Sequence, residues 1–181
     1  VSQTFLNFEL VEEIGRGAFG RVYLARQAGL ANRPVALKLT PGTSVEPDRL
    51  AQLQHTNIVP IYSVHQANGF QAVCMPYLGR QTLVDVLRET RRNGRLPRSG
   101  QELLTTVVAL HSETLAIDRP PNETAAKSAA VSIRPCDLAP SIRSRFECSS
   151  YVDAVAWIVS QVAAGVAHAH ERGILHRDLK P

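Results

Sequence analysis

The spacing of hydrophobic and polar positions changes along the chain, and each period predicts a different element. From Phe8 to Leu78 apolar residues alternate with polar ones in short runs, the two-residue period of strands. Phe8–Ile14 reads as a strand ending on the glycine-rich GRGAFG, and Arg21–Arg26 as its β-branched and aromatic return, so the glycines turn a hairpin. PVALKLT, Pro34–Thr40, predicts a third strand, while NIVPIYSV and FQAVCMPYL predict two more. PGTS interrupts them, and Pro47–Gln54 predicts a short helix with proline well placed at its first position. Leu83–Arg91 predicts a further helix.

The pattern then fades. Arg92–Ser150 is rich in Ser, Thr, Ala, Pro and Arg, with Phe146 its only aromatic residue. It predicts a low-order insert, apart from a short amphipathic helix over Glu102–Leu110. At Tyr151 a helical period begins: Val152, Val155, Val159, Val162 and Val166, with Ala156, Ala163 and Ala167, recur every three or four residues. Trp157 and Ile158 make the opposite flank apolar, so this helix expects burial on most sides. Gly173 ends it. Asp153, Ser160, Gln161, Gly165 and His168 interrupt the apolar run, so no membrane segment is expected here. No basic-then-apolar leader opens the chain, which begins on Val1.

Composition adds exclusions. The net charge is +4, but the basic residues scatter rather than cluster, which predicts a solvated surface and no nucleic-acid partner. Cys74, Cys136 and Cys148 form no CxxC pair, which excludes a disulfide framework or a cysteine zinc site and fits a reducing, cytoplasmic setting. Lysine occurs only at 38, 127 and 180. Asn122 heads a glycosylation-like triplet, discounted in a chain without a leader.

The chemistry lies in three short stretches. IGRGAFGRV, Ile14–Val22, carries Gly15, Gly17 and Gly20, residues that let a backbone approach phosphate oxygens and aim its N–H groups at them. A dinucleotide fingerprint shares this spacing, yet it sits between a strand and a helix with an acid some 20 residues on. Here the next segment reads as a strand, and VALK stands where that acid should be. The chain closes on GILHRDLKP.

The glycine loop, VALK and HRDLKP, in that order, are the signatures of protein kinases, and the chain closely resembles eukaryotic-type (Hanks-type) Ser/Thr protein kinases. The resemblance covers Phe8 to about Arg91, lapses over the insert, and resumes at Tyr151. DLKP, with its lysine two past the aspartate, resembles the Ser/Thr branch. It implies an α+β, two-lobed fold: an antiparallel N-lobe sheet over residues 8–79 with one short helix, and a partial helical C-lobe comprising 80–91 and 151–181, around the 92–150 insert.

Site roles follow from the resemblance alone. Ile14, Gly15, Gly17, Ala18, Phe19 and Gly20 would cover the phosphates of ATP, Val22 and Ala36 would pack on adenine, and Lys38 would grip the α- and β-phosphates. Met75 would be the gatekeeper, with the backbone of Pro76 and Leu78 meeting the adenine edge. Asp178 would orient the substrate hydroxyl, and Lys180 would steady the γ-phosphate. Glu46 or Asp48 is left as ion-pair partner for Lys38. Glu46 matches the family position by its distance from HTNIV, although Pro47 sets it at the very start of its helix. The family's Mg²⁺ ligands, an asparagine and a DFG aspartate, would lie past Pro181, so the chain is expected to be cut inside its catalytic loop and inactive by itself, its parent transferring phosphate from ATP to protein Ser and Thr. The alternative is a pseudokinase-like module that binds nucleotide or a partner without chemistry. His168 and His170, two apart, share no helix face and predict no metal pair. Cys74 reads as a buried small apolar residue.

Overall fold

The structure, a computed structural model, describes residues 3–17, 20–42, 51–92, 94–117, 140–176 and 179. They fall into two compact units, one holding the strands, the 51–62 connection and Ala167–Leu175, the other holding the helical residues from Leu83 to Val166. The α+β, kinase-like fold class is borne out in both.

The strands are β1 (Gln3–Phe5), β2 (Phe8–Gly17), β3 (Gly20–Gln27), β4 (Arg33–Pro41), β5 (Ser63–Ala67) and β6 (Phe70–Pro76). They pair antiparallel in the order β1-β2-β3-β4-β6-β5. Residues directly opposite across a ladder share a sheet face, and faces alternate along a strand. Register therefore assigns Ala25, Val35, Leu37, Ala72 and Cys74 to one face, where they join Phe5 and Phe8 in a buried core. Phe8, Val35, Leu37 and Cys74 are fully buried, and the Phe8 ring meets His65 edge-on at 5.2 Å.

Strand β1 escapes the sequence reading because QTF is too short to show a period; Phe5 is recruited by pairing with Phe8. The run NIVPIYSV is corrected. Residues 57–62 are not strand, and β5 starts only at Ser63. Pro60 has no N–H for a ladder, and the Ile58 N–H turns back to the His55 carbonyl at 3.0 Å. The start of the helix expected at Pro47–Gln54 lies outside the described residues; 51 and 52 form a turn.

The helices are α1 (Leu83–Arg92), α2 (Gly100–Ile117), α3 (Pro140–Glu147) and α4 (Tyr151–His170). Low order over 92–150 is thus corrected for its described parts: α2 outruns Glu102–Leu110 on both sides, and α3 was not foreseen. The reason is tertiary. Leu103 of α2 and Phe146 of α3 are buried with Val86 of α1 and Ala154 of α4, a core that no single segment reveals. Phe146 meets Trp157 edge-on at 5.6 Å, and the Gly100 N–H donates to the Ser149 carbonyl at 2.9 Å. The stretch DRPPNETAAKSAA lies outside the described residues.

Helix α4 is long and apolar enough to cross a membrane by length and composition. Those criteria also fit a core helix, and Tyr151, Ala154, Val155, Trp157 and Ile158 pack into the helical core.

Candidate functional site

The sheet face opposite the core collects the residues singled out from the sequence. Gly17 stands opposite Gly20, and Gly15 opposite Val22, across the β2–β3 hairpin. Val22 is opposite Lys38, and Lys38 is opposite Val73 on β6. Ala36, two residues before Lys38, is opposite both Leu24 and Met75. The alternation of strands thus brings Gly15, Gly17, Gly20, Val22, Ala36, Lys38 and Met75 onto one face. A register shift between Glu13 and Gly15 makes Ile14 an extra residue, so that Ile14 and Gly15 together oppose Val22.

The glycines are not equivalent. Gly20 has φ +156°, and a Cβ there would collide with the Leu39 carbonyl oxygen of β4. Only glycine lets the hairpin lie this close to its neighbour. At Gly17 a Cβ would meet nothing within 4 Å, so the chain itself sets no packing demand and the space beside it is open.

Lys38 is half-buried between Val22 and Val73. Among the described residues it has no ion-pair partner; Glu46 and Asp48 lie outside them. Met75 and Pro76 are half-buried at the end of β6, and Leu78 beyond it is 52% exposed. Pro76 stands opposite Val35 and so belongs to the core face, which leaves its carbonyl as its contribution. Ala18, Phe19, Asp178 and Lys180 lie outside the described residues.

Residues the sequence reading passed over complete the face. Leu24 and Val73 are buried there, at 7% and 6% exposure, beside Ala36 and Lys38. The two-residue period, applied outward from Val22 and Met75, would have found them. On the other side of the hairpin, Glu13 accepts from Arg16 at 2.7 Å and from Arg21 at 3.4 Å, bracing the two strands that carry the glycines. The Arg16 hydrogen bond, aided by the charges of both arginines, holds the Glu13 carboxyl below the usual carboxylate range. Cys74 points into the core, and burial pushes its thiol up despite a hydrogen bond from Ser63.

Small residues under an open face, with one half-buried lysine among them, make a surface suited to a flat ring with a phosphate tail. Comparison with known proteins decides the family. The model for protein tyrosine and serine/threonine kinase matches residues 8–181. The chain belongs to the protein kinase family. This kinase domain is 24% identical over 179 residues to the mouse (Mus musculus) serine/threonine-protein kinase Nek5, covering 96% of this chain and 20% of that protein. It is 23% identical over 185 residues to the serine/threonine-protein kinase PknD of Protochlamydia amoebophila, covering 96% and 14%. With the serine/threonine-protein kinase PknF of Mycobacterium tuberculosis it shares 28% over 114 residues, 58% of this chain and 24% of that protein. The kinase domain therefore spans a quarter or less of the length of these relatives.

Proposed function

We propose that this kinase domain serves ATP-dependent phosphoryl transfer to Ser and Thr hydroxyls of protein substrates. The observation that carries the reading is the single sheet face on which the glycine hairpin, Ala36, Lys38 and Met75 meet. Those residues fit ATP: the space at Gly17 is open, Ala36 is too small to block a ring, and Lys38 lies two positions along β4 toward the glycines. ATP supplies the phosphoryl group. Val22 and Ala36 would pack on the base, the Pro76 carbonyl and Leu78 amide would meet its edge, and Met75 would close the back. Lys38 would hold the α- and β-phosphates, a role for a compact charge on a flexible stem.

The substrate hydroxyl would be oriented by the Asp178 carboxylate, with Lys180 offsetting charge on the transferred group; positioning and charge neutralisation dominate this chemistry. In the family Mg²⁺ accompanies ATP and offsets phosphate charge, and no residue here is assigned to it.

Titration with a fluorescent ATP analogue tests the assignment. Lys38→Ala should weaken binding tenfold or more, on the order of the 1.4 kcal/mol or above expected for one charge-assisted contact, with the sheet intact by circular dichroism. Equal affinity of variant and wild type would refute the role of Lys38.

A further inference from the structure

Near the end of α4 two imidazoles meet. The His55 and His168 ring centroids are 5.0 Å apart, their planes tilted by 41°. Each ring has one nitrogen already committed as an acceptor. The Asn57 backbone N–H donates to His55 Nδ1 at 3.1 Å. Arg172, which has only donors, places Nη1 3.2 Å from His168 Nδ1 and 3.1 Å from the His168 carbonyl. In this arrangement Nδ1 of each ring accepts, which leaves the ring N–H on Nε2. That tautomer leaves neither Nε2 a free lone pair, which excludes a metal bridging the pair. His168 Nε2 is buried with no hydrogen-bond partner among the described residues.

The contact lies close to the helix end. Helix α4 stops where Gly173, at φ +71°, donates to the His170 carbonyl at 2.9 Å and Ile174 donates to the Ala169 carbonyl at 3.0 Å. Ala169 is the residue directly after His168, and Ile174–His176 run straight into the HRD motif.

We propose that His55 and His168 form a pH-sensitive clasp, which holds the end of α4 and the segment leading to Asp178 in place only while His168 is neutral. A proton on His168 Nδ1 would face the Arg172 guanidinium donor instead of accepting from it. It would also place a half-buried cation against His55. The titratable and charged groups facing His168 are Arg172 and His55, which disfavour a proton on it, and Glu171, which favours one. Loss of solvent on burial, then Arg172 and His55, hold the His168 ring below the ordinary imidazole value of 6.5. A base with a depressed folded value stabilises the fold fully above its unfolded value. That contribution shrinks as pH falls below about 6.5 toward the folded value. That the segment serves phosphoryl transfer rests on the proposed kinase chemistry; the clasp does not.

Amide exchange of Ile174, corrected for intrinsic rates, tests this on the whole chain without nucleotide. Protection should fall several-fold between pH 7 and pH 5. In His168→Phe, which keeps a ring against His55 but takes no proton, it should stay level. Constant protection in the wild type, or an equal fall in His168→Phe, overturns the proposal. Should His168→Phe fail to fold, NMR titration of the wild-type ring decides. Titration below the ordinary value, with the Ile174 amide shift moving in step, supports the clasp; titration at or above that value overturns it. Loss of the Lys38 effect on ATP affinity would leave this result untouched, so the two readings fail separately.

Discussion

The sheet unit and the helical unit bury their apolar residues by different routes. In the sheet, Phe8, Ala25, Val35, Leu37, Ala72 and Cys74 are fully buried, facing inward through a register that neighbouring strands enforce on one another. In the helical unit the core is Val86, Leu103, Phe146 and Ala154, each from a different helix. Its longest helix leaves Val152, Val159 and Val162 at 71%, 59% and 47% exposure. A strand's faces are set by its ladder, whereas a helix presents a stripe whose partners must arrive from elsewhere in the chain. The sheet can therefore hold a site to tight geometry, and the helical unit is the more forgiving of change.

Substitutions should widen or erase that contrast. The largest effect is expected for Phe8→Ala, which empties a fully buried site at a cost of roughly 3–5 kcal/mol. Val159→Ala, 59% exposed on α4, should stay within about 0.5 kcal/mol. Urea unfolding followed by both fluorescence and circular dichroism measures the pair, and comparable losses would break the contrast.

Gly20→Ala comes next. Its Cβ collides with the Leu39 carbonyl, so a loss of about 1–3 kcal/mol is expected, while Gly17→Ala, with open space around it, should be nearly neutral in stability. Thermal melts separate them, and a harmless Gly20→Ala would mean that the hairpin floats free of β4.

The smallest effect belongs to a helix cap. Thr82 donates its hydroxyl and its N–H to Asp85 at 2.7 and 2.9 Å, and accepts from the Asp85 N–H at 3.4 Å. Thr82→Ala should cost about 1 kcal/mol. The Thr82 hydroxyl, then its N–H, keeps the Asp85 carboxyl below its ordinary value of 3.8. A depressed acid stabilises the fold above its unfolded value and loses that contribution as pH falls through the folded one. Helix content in Thr82→Ala should accordingly show a weaker acid-induced change below pH 4 than the wild type, and an identical acid profile would remove the cap from the account.

Much of the sheet was legible because strand period and register are local. Phe8, Arg21 and Pro34 each lie inside the observed strands that were expected from them, and within PVALKLT the two-residue period puts Ala36 and Lys38 on the face opposite Leu37. Strand β1 and the true start of β5 were not, since three residues carry no period and Pro60 acts only through a missing donor. The helical insert was misread for a different reason: its apolar residues are sparse, and Leu103 and Phe146 become core only when α1 and α4 stand beside them.

The motifs GRGAFG, VALK and HRDLKP determined the family, because phosphate chemistry demands particular residue types at particular spacings. Tertiary structure alone decided which residues share a face with Lys38, which glycine is held by packing, and that His55 lies against His168 from 113 positions away. The physical reason is common to all three. Residue type is a local property of the chain, but contact depends on where distant segments are folded, and no local period encodes it.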